Sequence, residues 1–225
     1  MKVLRHKKKP VKKIDLIAHR SPKSPITEQY RLIRTNIHLS SRNDEIKSIV
    51  VTSAAPSEGK STTVANLAIV LAQQGEQVLL VDADLRKPSL HYAFAVHNLY
   101  GLTTVLNKER NLYEAISKTD IPNLNILTSG PVPQNPSELL NSKFMETIIE
   151  EIKDIYEYVV FDTPPVLEVT DSQILANKVD GIVMVVNSGK TSPQKAIKAK
   201  ELLEKTQGKL LGVVVNETKI TKKMY

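Results

Sequence analysis

Ala54-Ala55-Pro56-Ser57-Glu58-Gly59-Lys60-Ser61-Thr62 lies between two apolar stretches, Ile49-Val50-Val51 and Val64 to Ala72. Together they read as strand, loop and helix, with a lysine and a hydroxyl closing the loop. Such a loop turns backbone N–H groups and a helix N-terminus toward anions the size of phosphates. Lys60 adds a mobile cation suited to β- and γ-phosphates, and Ser61 a hydroxyl suited to a divalent metal. Ala54 stands where the first glycine of such loops is usual. A Gly-Lys-Ser string alone also occurs in surface turns, so the flanking segments carry the reading.

Two acidic motifs extend it. Val78-Leu79-Leu80-Val81 runs into Asp82-Ala83-Asp84-Leu85-Arg86-Lys87-Pro88, and Tyr158-Val159-Val160-Phe161 runs into Asp162-Thr163-Pro164-Pro165. Four apolar residues without alternation fit strands buried on both faces, as in a parallel sheet. Acids at the carboxyl ends of such strands face the crevice where open α/β sheets bind ligands. One such Asp reads as a turn or a helix cap. Three beside a phosphate loop repel each other, and a divalent cation relieves them. Mg2+ suits a site built from a few carboxylates, waters and phosphate oxygens.

These motifs resemble the bacterial tyrosine kinases, whose nucleotide motifs are called Walker A, A′ and B. The likeness runs from about Ser21 to the last residue, and Val81-Asp82-Ala83-Asp84-Leu85-Arg86-Lys87-Pro88 discriminates best. Glu28, Arg31 and Arg34 match the family's E-x-x-R-x-x-R oligomerisation motif. The resemblance implies an α/β, P-loop NTPase-like single domain: a mostly parallel twisted sheet with helices on both faces. It implies a protein-tyrosine kinase using ATP and Mg2+, regulating capsule or exopolysaccharide production. Similar Gram-positive proteins are cytoplasmic and work with a separate membrane-embedded activator, which here implies recruitment to the inner face of the membrane.

Composition agrees with one soluble core. The chain has 225 residues, 41% of them hydrophobic, so Leu, Ile and Val supply most of the interior. Cysteine is absent, which excludes disulfides and thiolate-held metal centres. No apolar run approaches the roughly 20 residues of a membrane helix. The net charge of +7 has a local origin: Lys2, Arg5, Lys7, Lys8, Lys9, Lys12 and Lys13 come with no acid among residues 1–13. Removing these seven from the 31 basic residues leaves 24 against 24 acidic ones. A neutral body argues against a nucleic-acid groove. Residues 1–20 read as a basic disordered tail, either touching anionic lipid or merely solubilising.

The kinase domain is expected over 21–217, with strands near 46–53, 77–82, 124–128, 157–162, 181–187 and 209–215. Helices are expected over roughly 60–74, 137–154, 171–178 and 192–206, with short ones between 101 and 118. From Pro25 a further helix presents Ile26, Tyr30, Ile33 and Ile37 on one face. Glu28, Arg31 and Arg34 share an adjoining arc, either an intersubunit contact, as the family match implies, or a solvated edge.

The resemblance also distributes roles. Ser57, Glu58, Gly59, Lys60, Ser61 and Thr62 would bind ATP, Lys60 on the β- and γ-phosphates and Thr62 on the α-phosphate. Ser61, Asp84 and Asp162 would hold the metal or its waters. Lys60, Asp82, Asp84 and Asp162 form the catalytic set, with Asp82 orienting or deprotonating the acceptor tyrosine. Arg86 stabilises transferred charge or fixes the loop by a salt bridge. Asn216 reads the adenine edge or simply forms a turn. Relatives end in a tyrosine cluster phosphorylated in trans by neighbouring subunits; here residues 218–225 form a flexible tail with Tyr225 alone. Two other readings remain open: a ParA/MinD-like positioning ATPase, and a non-catalytic nucleotide-binding regulator of polysaccharide export. The first usually carries a second lysine early in the loop, where this chain has Ala55.

Overall fold

The computed structural model describes residues 14–40 and 45–218. In chain order the elements are α1 (Ile17–Arg20), α2 (Pro25–Ser40), β1 (Ser48–Ser53), α3 (Lys60–Ala72), β2 (Val78–Asp82) and α4 (Leu90–Ala93). Then come α5 (Leu102–Leu106), α6 (Leu112–Ala115), β3 (Ile116–Lys118), β4 (Leu124–Leu127), α7 (Pro136–Asn141) and α8 (Lys143–Ile155). The last are β5 (Tyr158–Asp162), α9 (Asp171–Ala176), β6 (Gly181–Asn187), α10 (Pro193–Glu204) and β7 (Lys209–Asn216). The seven strands form one sheet in the order β3-β4-β2-β5-β1-β6-β7, parallel except at β3.

The apolar runs become the central strands because both faces are covered. Every residue of β1, β2 and β5 is buried. On one face Ile49, Val51, Leu80 and Val160 pack with α3 and with Tyr30 and Ile37 of α2. On the other, Val50, Leu79, Val81 and Phe161 pack with Met145, Ile148, Ile149 and Ile152 of α8. α3 is buried almost all round, as a helix between a sheet and another helix must be. α8 buries one stripe at helical spacing and leaves Glu146 and Glu150 outside.

Parallel pairing sets the register that matters. Asp82 ends β2 beside Asp162, which ends β5, and β1 runs next to β5. The phosphate loop, the paired-aspartate loop and the Asp-Thr-Pro-Pro segment therefore leave neighbouring strands at the same end.

Four expectations change. The helix expected over 137–154 is two helices, since Ser142 takes an extended conformation and accepts a hydrogen bond from Met145 N at 3.2 Å. It caps a new helix there instead of continuing the old one. The antiparallel edge strand β3 follows the short helices expected between 101 and 118, and α4 adds a turn after the aspartate motif. The basic tail does not extend to residue 20. Ile14, Leu16 and Ile17 pack on the core, Ala18 is fully buried, and its N–H bonds Asn66 Oδ1 at 2.9 Å. Residues 1–13, and Tyr225 with most of the C-terminal tail, lie outside the described residues. Among the described residues no helix is long and apolar enough to cross a membrane.

Candidate active site

The loop between β1 and α3 is held in shape by its own chain. Ser57 has φ 62° and Gly59 φ 90°, the left-handed region. At Gly59 an added Cβ would meet Asn216 Nδ2 at 1.9 Å, so both dihedral and space demand glycine. Asn216 Nδ2 donates to Glu58 O at 2.9 Å, tying the end of β7 to the loop. Glu58 is buried, accepting from Ala55 N at 3.0 Å and from the Thr191 hydroxyl. Both residues expected to meet nucleotide thus spend these groups on the loop's frame.

Lys60 opens α3 and is only 7% exposed. Its ammonium pairs with Asp162 Oδ1, lies 3.9 Å from Asp84 Oδ2 and donates to Ser61 Oγ at 3.2 Å. Asp82 Oδ2 accepts the backbone N–H groups of Ser89 and Leu90, each at 3.0 Å. Asp82 Oδ1 and Asp162 Oδ2 are buried with no hydrogen-bond partner among the described residues. Burial, then the neighbouring Asp162 carboxylate, pushes the Asp82 pKa up to about 7. Burial also raises Asp84, against the pull of Lys60. The acids share one negative field that a cation relieves.

A cleft of about 290 Å3 opens here, lined by Ser57, Lys60, Ser61, Thr62 and Asp84, with Lys87 at its side. Asp84 reaches it; Asp82 is fully buried behind. Among the described residues no three acidic or histidine side chains form a metal cage by themselves. The Ser61 hydroxyl and the Asp84 and Asp162 carboxylates, the latter with its Oδ2 unpartnered, nevertheless fit Mg2+, which completes its shell with phosphate oxygens and water.

Sequence left Arg86 with two readings, and geometry selects the salt bridge. Its Nε and Nη2 donate to Asp171 Oδ2 and Oδ1 at 2.8 and 3.0 Å, and Ser137 Oγ donates to Asp171 Oδ1 at 2.7 Å. Asp171 is fully buried at the start of α9 and went unnoticed in the sequence, where an Asp opening a helix reads as an ordinary cap. The bridge fixes the loop that carries Asp84. On α2, Arg31 pairs with Glu28, and Arg34 Nη1 donates to Val70 O at 2.7 Å, so Arg34 also docks α2 on α3.

Residues 46–210 match the AAA domain family. The chain is 52% identical over 208 residues to the tyrosine-protein kinase YwqD of Bacillus subtilis (strain 168), covering 92% of this chain and 88% of that protein. It superposes on the crystal structure of the chimerical protein CapA2B2 with TM-score 0.87 and 45% identity, over 90% of this chain and 89% of the other. It superposes on the kinase domain of the Escherichia coli tyrosine kinase ETK with TM-score 0.88 and 30% identity, over 97% and 86%.

Proposed function

The chain belongs to the bacterial tyrosine-protein kinases, and from that premise we propose how its cleft moves phosphate from ATP to a tyrosine hydroxyl. The observation that carries the proposal is the meeting of Lys60 with Asp162 and Asp84 beside the phosphate loop. Phosphoryl transfer asks a protein mainly for positioning and charge neutralisation. Backbone N–H groups of Ser57 to Thr62 cradle the phosphates, with Thr62 on the α-phosphate. Lys60 exchanges its carboxylate partner for the β- and γ-phosphates and follows the charge onto the leaving group. Ser61, Asp84 and Asp162 would hold Mg2+, which would supply neutralisation of phosphate charge when bound. A phenol entering the cleft needs an acceptor, since free tyrosine has a pKa of about 10; Asp84 lines the cleft and Asp82 lies buried behind it. Asp82 takes the proton, or orients the hydroxyl, once the loop from Asp84 to Ser89 admits the substrate. Arg86 holds that loop through Asp171.

The acceptor is Tyr225 of a neighbouring copy, reached in an oligomer that Glu28, Arg31 and Arg34 help to build. A membrane-embedded activator recruits the kinase to the cytoplasmic face of the membrane, and the output is regulation of capsule or exopolysaccharide synthesis. Incubation with γ-labelled ATP followed by phosphoamino-acid analysis tests the reading. Phosphotyrosine that disappears in Lys60→Met supports it. Inorganic phosphate alone supports a switch ATPase, and neither product supports a non-catalytic regulator.

A further inference from the structure

Four charged side chains line the cleft: Lys60 and Asp84, and the exposed Lys87 and Glu168. Lys60 lies 3.9 Å from Asp84, whereas the side chains of Lys87 and Glu168 have no hydrogen-bond or ion-pair partner among the described residues. They come from different walls, Lys87 from the loop after β2 and Glu168 from the segment after β5. The second wall is fixed by its own bonds. Thr163 N and Oγ1 donate to Val51 O at 3.2 and 3.1 Å, Thr52 Oγ1 donates to Pro164 O at 2.9 Å, and Val166 N donates to Ser53 O at 2.9 Å. Glu168 N then closes a turn onto Pro165 O at 3.1 Å. Glu168 is therefore an unpaired acid on a rigid strip of backbone. An exposed acid is ordinarily a solvated surface group. Here Asp82 and Asp162 lie fully buried behind the same cleft. MgATP is a net anion, so its binding offsets the two lysines and leaves acids in excess around the opening, Glu168 the exposed one among them.

We propose that Glu168 selects acceptor tyrosines that have a lysine or arginine close to them in sequence. The proposal rests on the kinase reading of this cleft and adds the class of peptide it takes. A cleft with one sign of charge in excess draws ligands of the other sign. The range is set by a Debye length of about 8 Å at physiological salt, which an extended chain spans in about two to three residues. A basic residue within a few positions of the tyrosine therefore counts, and a distant one does not. Lys87 does not reverse the preference, because a bound triphosphate gives it a partner inside the cleft. The sequence before Tyr225 reads Thr218-Lys219-Ile220-Thr221-Lys222-Lys223-Met224, three lysines and no acid, which is the composition such a cleft favours. Glu168 determines specificity in this scheme and touches the substrate away from the reacting atoms.

Phosphorylation of synthetic peptides by the full chain, with saturating MgATP at low and at high salt, tests the proposal. Three capped peptides differ only in the two residues before a shared Met-Tyr: two lysines, two glutamines or two glutamates. By kcat/KM the lysine peptide is expected to exceed the glutamine peptide about three- to fivefold at low salt, and less at high salt. Glu168→Gln should cut the ratio of lysine to glutamate peptide about two- to threefold, and Glu168→Lys should cut it further. Glu168 is exposed and its side chain holds no partner, so neither change removes a contact that supports the fold. Equal or reversed preference in the wild-type chain, or a preference untouched by Glu168→Gln, overturns the proposal. So does a chain that labels its own tyrosine but accepts none of the peptides; in these cases the kinase reading stands. Phosphotyrosine on neither peptide nor chain brings down the kinase reading as well.

Discussion

Replacing Asp82 by Asn separates stability from chemistry. The native carboxyl titrates at about 7 instead of the ordinary 3.8, chiefly because it is buried and next because Asp162 lies beside it. Between those values the folded chain holds a proton that the unfolded chain has lost. Stability therefore falls as pH rises through this window and stays lower above it. Roughly three units at about 1.4 kcal/mol each set a ceiling near 4 kcal/mol for the cost of the ionised group. Relaxation around a buried ion reduces such costs, so the expected gain for Asp82→Asn is about 1–2 kcal/mol at pH 8. The amide oxygen can still accept from Ser89 and Leu90, which removes the main reason for loss. For a chain of this size the midpoint should rise by about 3–6 °C at pH 8 and much less at pH 5, while phosphotransfer disappears. Thermal denaturation of the nucleotide-free protein at both pH values is the assay. An equal destabilisation at both, or a pH-independent gain, refutes the argument.

Arg86→Ala leaves the buried Asp171 carboxylate without its cation; because Arg86 is partly exposed, the expected loss is about 2 kcal/mol. Asp171→Ala should cost a similar amount, and the double variant in a denaturation cycle should cost clearly less than the sum. Glu28→Ala/Arg31→Ala/Arg34→Ala is expected to yield monomers in size-exclusion chromatography while MgATP binding persists. An unchanged elution volume contradicts the oligomer role. Gly59→Ala forces a side chain into the left-handed region and against Asn216, so nucleotide binding should vanish with a loss of at least about 1 kcal/mol in stability.

The central strands were legible because burial on both faces demands uninterrupted apolar runs, which Val78 to Val81 and Tyr158 to Phe161 supply. Parallel register then brought Asp82 beside Asp162, a neighbourhood that the run-then-acid pattern already suggested. The Ser142 break stayed hidden because apolar spacing continues across it and only the capping bond marks it. Asp171 was unreadable for a different reason: its partner Arg86 is 85 positions away, and long-range ion pairs leave no periodicity. The segment from Ile14 to Arg20 reads as tail because Ile14, Leu16 and Ile17 are too few to form a pattern. Its attachment depends on Asn66, whose polar side chain inside an apolar helix was the overlooked clue.

Mixing Lys60→Met chains, which keep Tyr225, with Tyr225→Phe chains, which keep the cleft, puts the whole scheme to one test. With γ-labelled ATP, phosphotyrosine should appear at Tyr225 of the Lys60→Met partner. Release of inorganic phosphate with no labelled tyrosine on either chain would contradict transfer between subunits through this site.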